Sequence, residues 1–137
     1  MSDKEKFEGL KQEAIAENER KYGTEIRERY GESTVEESNK KFANLTPEQY
    51  DAMTALGERI LSELESAVKG GAAPAGEAGR GIAALHREWL GYTWPAYDLK
   101  AHKGLAQMYV DDERFTAYYD KNVAGCAAFL RDAVQAL

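Results

Sequence analysis

Cysteine, histidine and proline are all scarce in this sequence, and each scarcity closes off a class of chemistry. The single cysteine, Cys126, excludes an intramolecular disulfide and falls short of the four ligands of a structural zinc site. Such a thiol among Ala127, Ala128 and Phe129 reads as a small core residue. Only two side chains, His86 and His102, offer a base of near-neutral pKa, and neither lies in a G-x-S-x-G, HExxH or comparable signature. Gly79-Arg80-Gly81 is too short to cradle a phosphate, and Asp111-Asp112 reads as a helix cap before it reads as an acid–base pair. No catalytic residue, metal ligand or cofactor is expected, and the chain reads as a binding protein with no enzymatic activity.

Long hydrophobic runs are missing too. No apolar stretch approaches the roughly 20 residues of a membrane span. Ser2-Asp3-Lys4-Glu5-Lys6 stands where a signal peptide would carry apolar residues, so a cytoplasmic location is expected. Positive charge is in deficit: the net charge of -6 sets a field that repels phosphate backbones, and direct contact with nucleic acid is not expected. Period-two alternation of β-branched residues is also lacking, which leaves an all-α fold.

What is present is helical periodicity. Phe7, Leu10 and Ala14, then Tyr22, Ile26 and Tyr30, recur at spacings of three and four from Lys4 to about Tyr30, with Gly23 and Gly31 as breaks. A short helix over Thr34–Phe42 follows. The apolar faces here are thin against an ordering cost of about 1–2 kcal/mol per residue, so residues 1–44 read as a loosely held segment. Leu45-Thr46-Pro47-Glu48-Gln49-Tyr50 carries a capping box, a proline suited to the first helical position and a hydrophobic staple from Leu45 to Tyr50. It opens a helix through Met53, Leu56, Ile60, Leu64 and Val68 that ends at Gly70-Gly71. Gly70–Gly81 reads as a connecting loop. Ile82, Leu85 and Trp89 mark the next helix, which bends at Trp94-Pro95; Leu99, His102, Leu105 and Tyr109 mark another, halted at Asp111-Asp112. A turn bearing Phe115, Tyr118 and Tyr119 precedes a terminal helix with Val123, Cys126, Leu130 and Val134 on one face. Residues 45–137 form the expected core.

Aromatic side chains crowd the span from Trp89 to Tyr119. Leu85, Trp89 and Phe115 occupy periodic positions that suit a core. For Tyr92, Trp94, Tyr97 and Tyr118, apolar bodies with polar tips, a core and a partly wet ligand cleft both remain open. The candidate ligand-binding residues are Trp89, Tyr92, Trp94, Tyr97, His102, Tyr109 and Tyr118, joined by Tyr30 and Phe42 from the loosely held segment.

The stretch Leu105-Ala106-Gln107-Met108-Tyr109-Val110-Asp111-Asp112-Glu113-Arg114-Phe115-Thr116, with Gly125-Cys126-Ala127-Ala128-Phe129-Leu130-Arg131-Asp132-Ala133 after it, resembles the TipA-type (TipAS) antibiotic-recognition domain. Lys21-Tyr22-Gly23, Glu36-Glu37-Ser38, Leu85-His86-Arg87 and His102 resemble that family in order and spacing, so the likeness covers nearly the whole chain as one domain. It implies a globin-like helical fold, large antibiotic ligands such as thiopeptides or other multidrug-type compounds, and an N-terminal part (residues 1–44) that orders as a lid over the ligand. In that family the domain is usually the effector half of a MerR-type transcription activator, with a DNA-binding domain upstream. This chain would then be either part of such a regulator or a stand-alone drug-sequestering protein. Members that trap thiopeptides covalently carry a cysteine where this sequence has Gly104, so reversible binding is expected. The rival readings are a globin-like haem-binding sensor, resting on the two histidines, and a protein-interaction module.

Overall fold

The computed structural model describes residues 2–137, which form seven α-helices; no strand occurs among the described residues. The helices are α1 (Asp3–Tyr30), α2 (Glu32–Ala43), α3 (Pro47–Lys69), α4 (Glu77–Leu90), α5 (Leu99–Asp111), α6 (Glu113–Tyr119) and α7 (Cys126–Gln135). They fall into two compact units, one of residues up to Ala52 with Gly91–Ala96, the other of Met53–Leu90 with Tyr97–Leu137.

In the N-terminal unit, α1 starts where the Ser2 hydroxyl accepts from the Glu5 amide, satisfying one of the orphan donors of the first turn. It does not break at Gly23. A Cβ there would lie 2.5 Å from Glu19 Oε2 and 3.1 Å from Arg27 Nη1. With no side chain between them, Glu19 and Arg27, two turns apart, join as an ion pair across the gap. Asn39 of α2 donates to the same carboxylate at 2.9 Å, tying the two helices together. The Arg27 guanidinium holds the Glu19 carboxyl below its ordinary pKa. Gly31, at φ +87°, ends α1 in a conformation side chains rarely adopt.

Few oily side chains hold this unit. Lys11, only 1% exposed, sends its ammonium to the carbonyls of Ala43 and Leu45, the latter at 2.9 Å, and pairs with Glu8 at 3.1 Å. A cation at the end of α2 supplies donors to acceptors that a helix terminus leaves unpaired and matches the sign of its dipole. The Tyr50 ring lies 5.5 Å from that of Phe7 and 6.1 Å from that of Phe42, both edge-on. Lys41 makes a second clasp, donating to the carbonyls of Gly91 at 2.8 Å and Trp94 at 2.9 Å, and so holds the 91–96 turn on α2.

The capping box at α3 forms as the sequence predicts: the Thr46 amide donates to Gln49 Oε1 at 2.9 Å and the Gln49 amide to Thr46 Oγ1 at 3.1 Å. The helix ends in a Schellman motif, Ala72 N to Ala67 O and Gly71 N to Val68 O, with Gly71 at φ +69°.

The second unit has an apolar core. Ile60, Leu61 and Leu64 of α3, Ile82 and Ala83 of α4, Ala106 and Tyr109 of α5, and Phe129, Leu130 and Val134 of α7 form one buried cluster, with α7 packed against α4, α5 and α6. The connection before α4 is shorter than the glycine content predicts, because the helix begins at Glu77 and takes in Gly79 and Gly81. Gly79 is a packing residue: a Cβ there would sit 1.6 Å from the Pro74 carbonyl oxygen, so the turn lies directly on the helix. Asp98 caps α5 through the Ala101 amide and Asp112, not Asp111, caps α6 through that of Arg114. The terminal helix starts at Cys126, one turn later than Val123, where Asp120 accepts from the Ala127 amide.

Candidate functional site

The second unit buries both histidines with no exposed surface, a polar pair inside an apolar core. Such groups are stable there only when hydrogen-bonded. Here they form a chain. The Tyr97 hydroxyl lies 2.8 Å from His102 Nδ1, His102 Nε2 lies 2.8 Å from His86 Nδ1, and His86 Nε2 lies 3.2 Å from the Tyr109 hydroxyl. The Tyr109 hydroxyl in turn bonds that of Tyr119. Helix periodicity assembles this relay: His86 shares the buried face of α4 with Ile82, and His102, Ala106 and Tyr109 share that of α5.

The relay carries no charge. Burial drives the His86 pKa down to about 3, with His102 adding a smaller push, and burial followed by the Arg87 charge drives His102 down to about 4. Both rings are therefore neutral near pH 7. The Arg87 guanidinium lies 4.0 Å from the Tyr97 ring centroid, a cation–π contact at the partly exposed end. Trp89 stacks on His86 at 5.7 Å, and the His86 ring stacks on His102 at 5.0 Å. At the other end Tyr109 packs against Phe115 at 5.2 Å and Tyr119 at 5.0 Å.

Of the nine side chains singled out from the sequence, the structure brings together Trp89, Tyr97, His102 and Tyr109. His102 and Tyr109 are buried within the relay, and Tyr97 is its partly exposed terminus. Tyr118 belongs to the same unit but points outward at 45% exposure, against the Tyr119 ring and under the Lys121 ammonium. Tyr30, Phe42, Tyr92 and Trp94 belong to the N-terminal unit. Burial raises the Tyr30 pKa, Phe42 packs on Tyr50, and Tyr92 and Trp94 lie on the turn clasped by Lys41. That unit also contains a cavity of about 630 Å³ lined by Phe7, Lys11, Leu45 and Pro47 with charged Asp3 and Glu8.

Sequence reasoning passed over His86 as a site residue. The signal was its place on the stripe with Ile82 and Trp89, where a buried imidazole must find a partner. Cys126 is fully buried and burial raises its thiol pKa, which disfavours the nucleophilic thiolate and agrees with a packing role.

The chain belongs to the TipAS antibiotic-recognition domain family, which its residues 22–137 match. It is 28% identical over 134 residues to the HTH-type transcriptional activator mta of Bacillus subtilis, covering 98% of this chain and 51% of that protein. It is 29% identical over 116 residues to the HTH-type transcriptional activator TipA of Streptomyces coelicolor, covering 84% of this chain and 46% of that protein. The chain thus spans about half the length of these relatives. Among solved structures it is similar to TipAS in complex with nosiheptide, from a thiopeptide antibiotic multidrug resistance system of Streptomyces lividans. The TM-score is 0.71 at 28% identity, covering 86% of this chain and 83% of that one.

Proposed function

We propose that this chain binds bulky, largely apolar antibiotics, thiopeptides or other multidrug-type compounds, reversibly and without catalysis. It would act in the cytoplasm, as the drug-sensing part of a MerR-type activator or as a protein that sequesters the drug. What supports the reading is the likeness in sequence and fold to a domain solved with nosiheptide bound. Trp89, Tyr97 and Tyr118 are the ligand contacts of the second unit, with His102 and Tyr109 acting behind Tyr97. Tyr30 and Phe42 are carried by residues 1–44, a segment that orders as a lid, since ligand surface supplies apolar burial that the segment lacks, and Tyr92 and Trp94 are contacts from the 91–96 turn. Gly104, with nothing within 4 Å of the place a Cβ would take, offers no nucleophile, consistent with reversible binding. A haem-sensor reading finds no free ligand, because all four imidazole nitrogens are hydrogen-bonded.

The test is a titration with nosiheptide and a panel of other antibiotics, followed by the fluorescence of Trp89 and Trp94 and by far-ultraviolet circular dichroism. Saturable fluorescence change with gain of helix is the expected result. A panel in which no compound alters either signal overturns the proposal.

A further inference from the structure

Among the described residues of the second unit, every arginine but one has a hydrogen-bond partner. Arg59, Arg114 and Arg131 each pair with a carboxylate close in sequence, and Arg80 donates to the Ala75 carbonyl at 3.1 Å. Arg87 does neither. Its exposed guanidinium lies 4.0 Å from the centre of the Tyr97 ring, and no acceptor among the described residues takes any of its N–H groups. A contact with a π face uses the charge of a guanidinium and leaves its donors unclaimed. Asp98, the acid whose charge acts on Tyr97, is taken up in capping α5, where it accepts from the Ala101 amide at 2.9 Å.

The arginine is held in place as well as unspent. Its backbone belongs to α4, next to the buried His86. The ring it lies on is tied through its hydroxyl to His102 Nδ1 at 2.8 Å, and His102 is tied to His86 at 2.8 Å. One helix thus supplies the guanidinium and, through two imidazoles, anchors the ring that carries it. A side chain already placed in this way loses less freedom when a ligand engages it.

Covering Arg87 with purely apolar ligand surface strips water from its donors and leaves them unpaired. An ionised carboxylate replaces that water with two parallel charge-assisted bonds, which the planar fork of a guanidinium fits. Such a site discriminates by what it penalises as well as by what it pairs. We propose that Arg87 is a specificity-determining residue that pairs with a carboxylate of the ligand, so that the preferred compounds are bulky, largely apolar acids. The inference rests on the antibiotic-recognition reading and deepens it by naming the polar group of the ligand. The net charge of -6 repels an anion at a distance, so the preference arises on contact with Arg87 and owes nothing to long-range attraction.

The test measures by calorimetry the affinity of the full chain for nosiheptide and for two bulky, largely apolar antibiotic acids, fusidic acid and mupirocin, each beside its methyl ester. At least one acid is expected to bind about tenfold or more tightly than its ester, the worth of a hydrogen bond to a charged group. Arg87→Met, which keeps an apolar stem against the Tyr97 ring, is expected to bring that acid down to the affinity of the ester. Arg87→Lys, which keeps the charge without the fork, is expected to retain part of the preference. An acid bound no more tightly than its ester, a preference that survives in Arg87→Met, or binding of nosiheptide with neither acid bound would each overturn this inference while leaving antibiotic recognition standing. If neither nosiheptide nor any acid or ester binds, that recognition falls and this inference with it.

Discussion

The two units of this chain reach order by different routes. Met53–Leu90 with Tyr97–Leu137 contains a continuous cluster in which Leu64, Ile82, Leu130 and Val134 are 2% exposed or less. In the N-terminal unit the buried apolar side chains among the described residues are Val35 and Leu45, and closure depends on the Lys11 and Lys41 clasps, the Glu19–Arg27–Asn39 cluster and the rings around Tyr50. A fully buried Leu or Ile contributes about 1.5–3 kcal/mol, whereas a hydrogen bond nets about 1 kcal/mol after its competition with water. Against an ordering cost of about 1–2 kcal/mol per residue, the first kind of unit has the larger offset and the second the smaller. The proposed ordering of residues 1–44 on ligand binding rests on that difference.

The comparison breaks most easily at the core. Leu64→Ala or Leu130→Ala, each removing a side chain with no exposed surface, is expected to cost about 3–5 kcal/mol of global stability. Urea melts would show a lower midpoint for the whole chain. A loss below about 1 kcal/mol would mean that the second unit is not the principal source of stability.

Acid should act on the same unit, since both histidines lie in it. Their folded pKa values, about 3 for His86 and about 4 for His102, lie below the ordinary value of 6.5. The unfolded chain therefore binds protons first, so the contribution is full above pH 6.5 and declines as pH falls from there towards 4. Each group gives a slope of up to about 1.4 kcal/mol per pH unit. The groups that face the pair are Tyr97, Tyr109 and Arg87, whose charge opposes protonation; Asp98 acts on Tyr97. Between pH 6.5 and 5 the Glu19–Arg27 pair stays ionised, because Arg27 lowers the carboxyl pKa. Denaturation midpoints that do not fall over that range would show the pair to be protonated without penalty.

Lys11→Met tests the other side. It leaves the Ala43 and Leu45 carbonyls without their ammonium donor, a loss of about 1–3 kcal/mol that should remain local. Amide exchange is expected to quicken over residues 3–52 while α7 keeps its protection. Equal loss of protection in both would show that the two units open as one.

What the sequence made legible follows the same division. Apolar stripes such as Ile60–Leu64 and Leu130–Val134 repeat at helical period and were readable, as were the capping box at Thr46 and a cap at Asp111-Asp112. Within the candidate site, Tyr97, His102 and Tyr109 were singled out and lie on one chain of bonds, yet the link between them, His86, was not, because its place on the stripe with Ile82 and Trp89 implies a buried imidazole without indicating the partner sixteen residues away. The lysine clasps were invisible for the same reason: Lys11 reaches carbonyls more than thirty residues on, and nothing in its neighbours distinguishes it from a solvated lysine. Glycine misled twice. Gly23 read as a helix break and the run to Gly81 as a connecting loop, whereas Gly23 and Gly79 lie inside helices where neighbouring atoms occupy the space a side chain would need.

That last point gives the finest test. In the middle of a helix Gly→Ala ordinarily stabilises by about 0.5–1 kcal/mol, because alanine loses less backbone freedom on folding. Gly9 and Gly23 lie on the same helix, and nothing comes within 4 Å of a Cβ at Gly9. At Gly23 the new methyl would meet Glu19 Oε2 at 2.5 Å, and the ion pair with Arg27 and the bond from Asn39 must yield. Gly9→Ala is therefore expected to show the usual gain, read as slower amide exchange in α1, and Gly23→Ala to show none or a loss. If both substitutions stabilise α1 equally, the Glu19 cluster adds nothing to the N-terminal unit, and its order would rest on the lysine clasps and the Tyr50 rings alone.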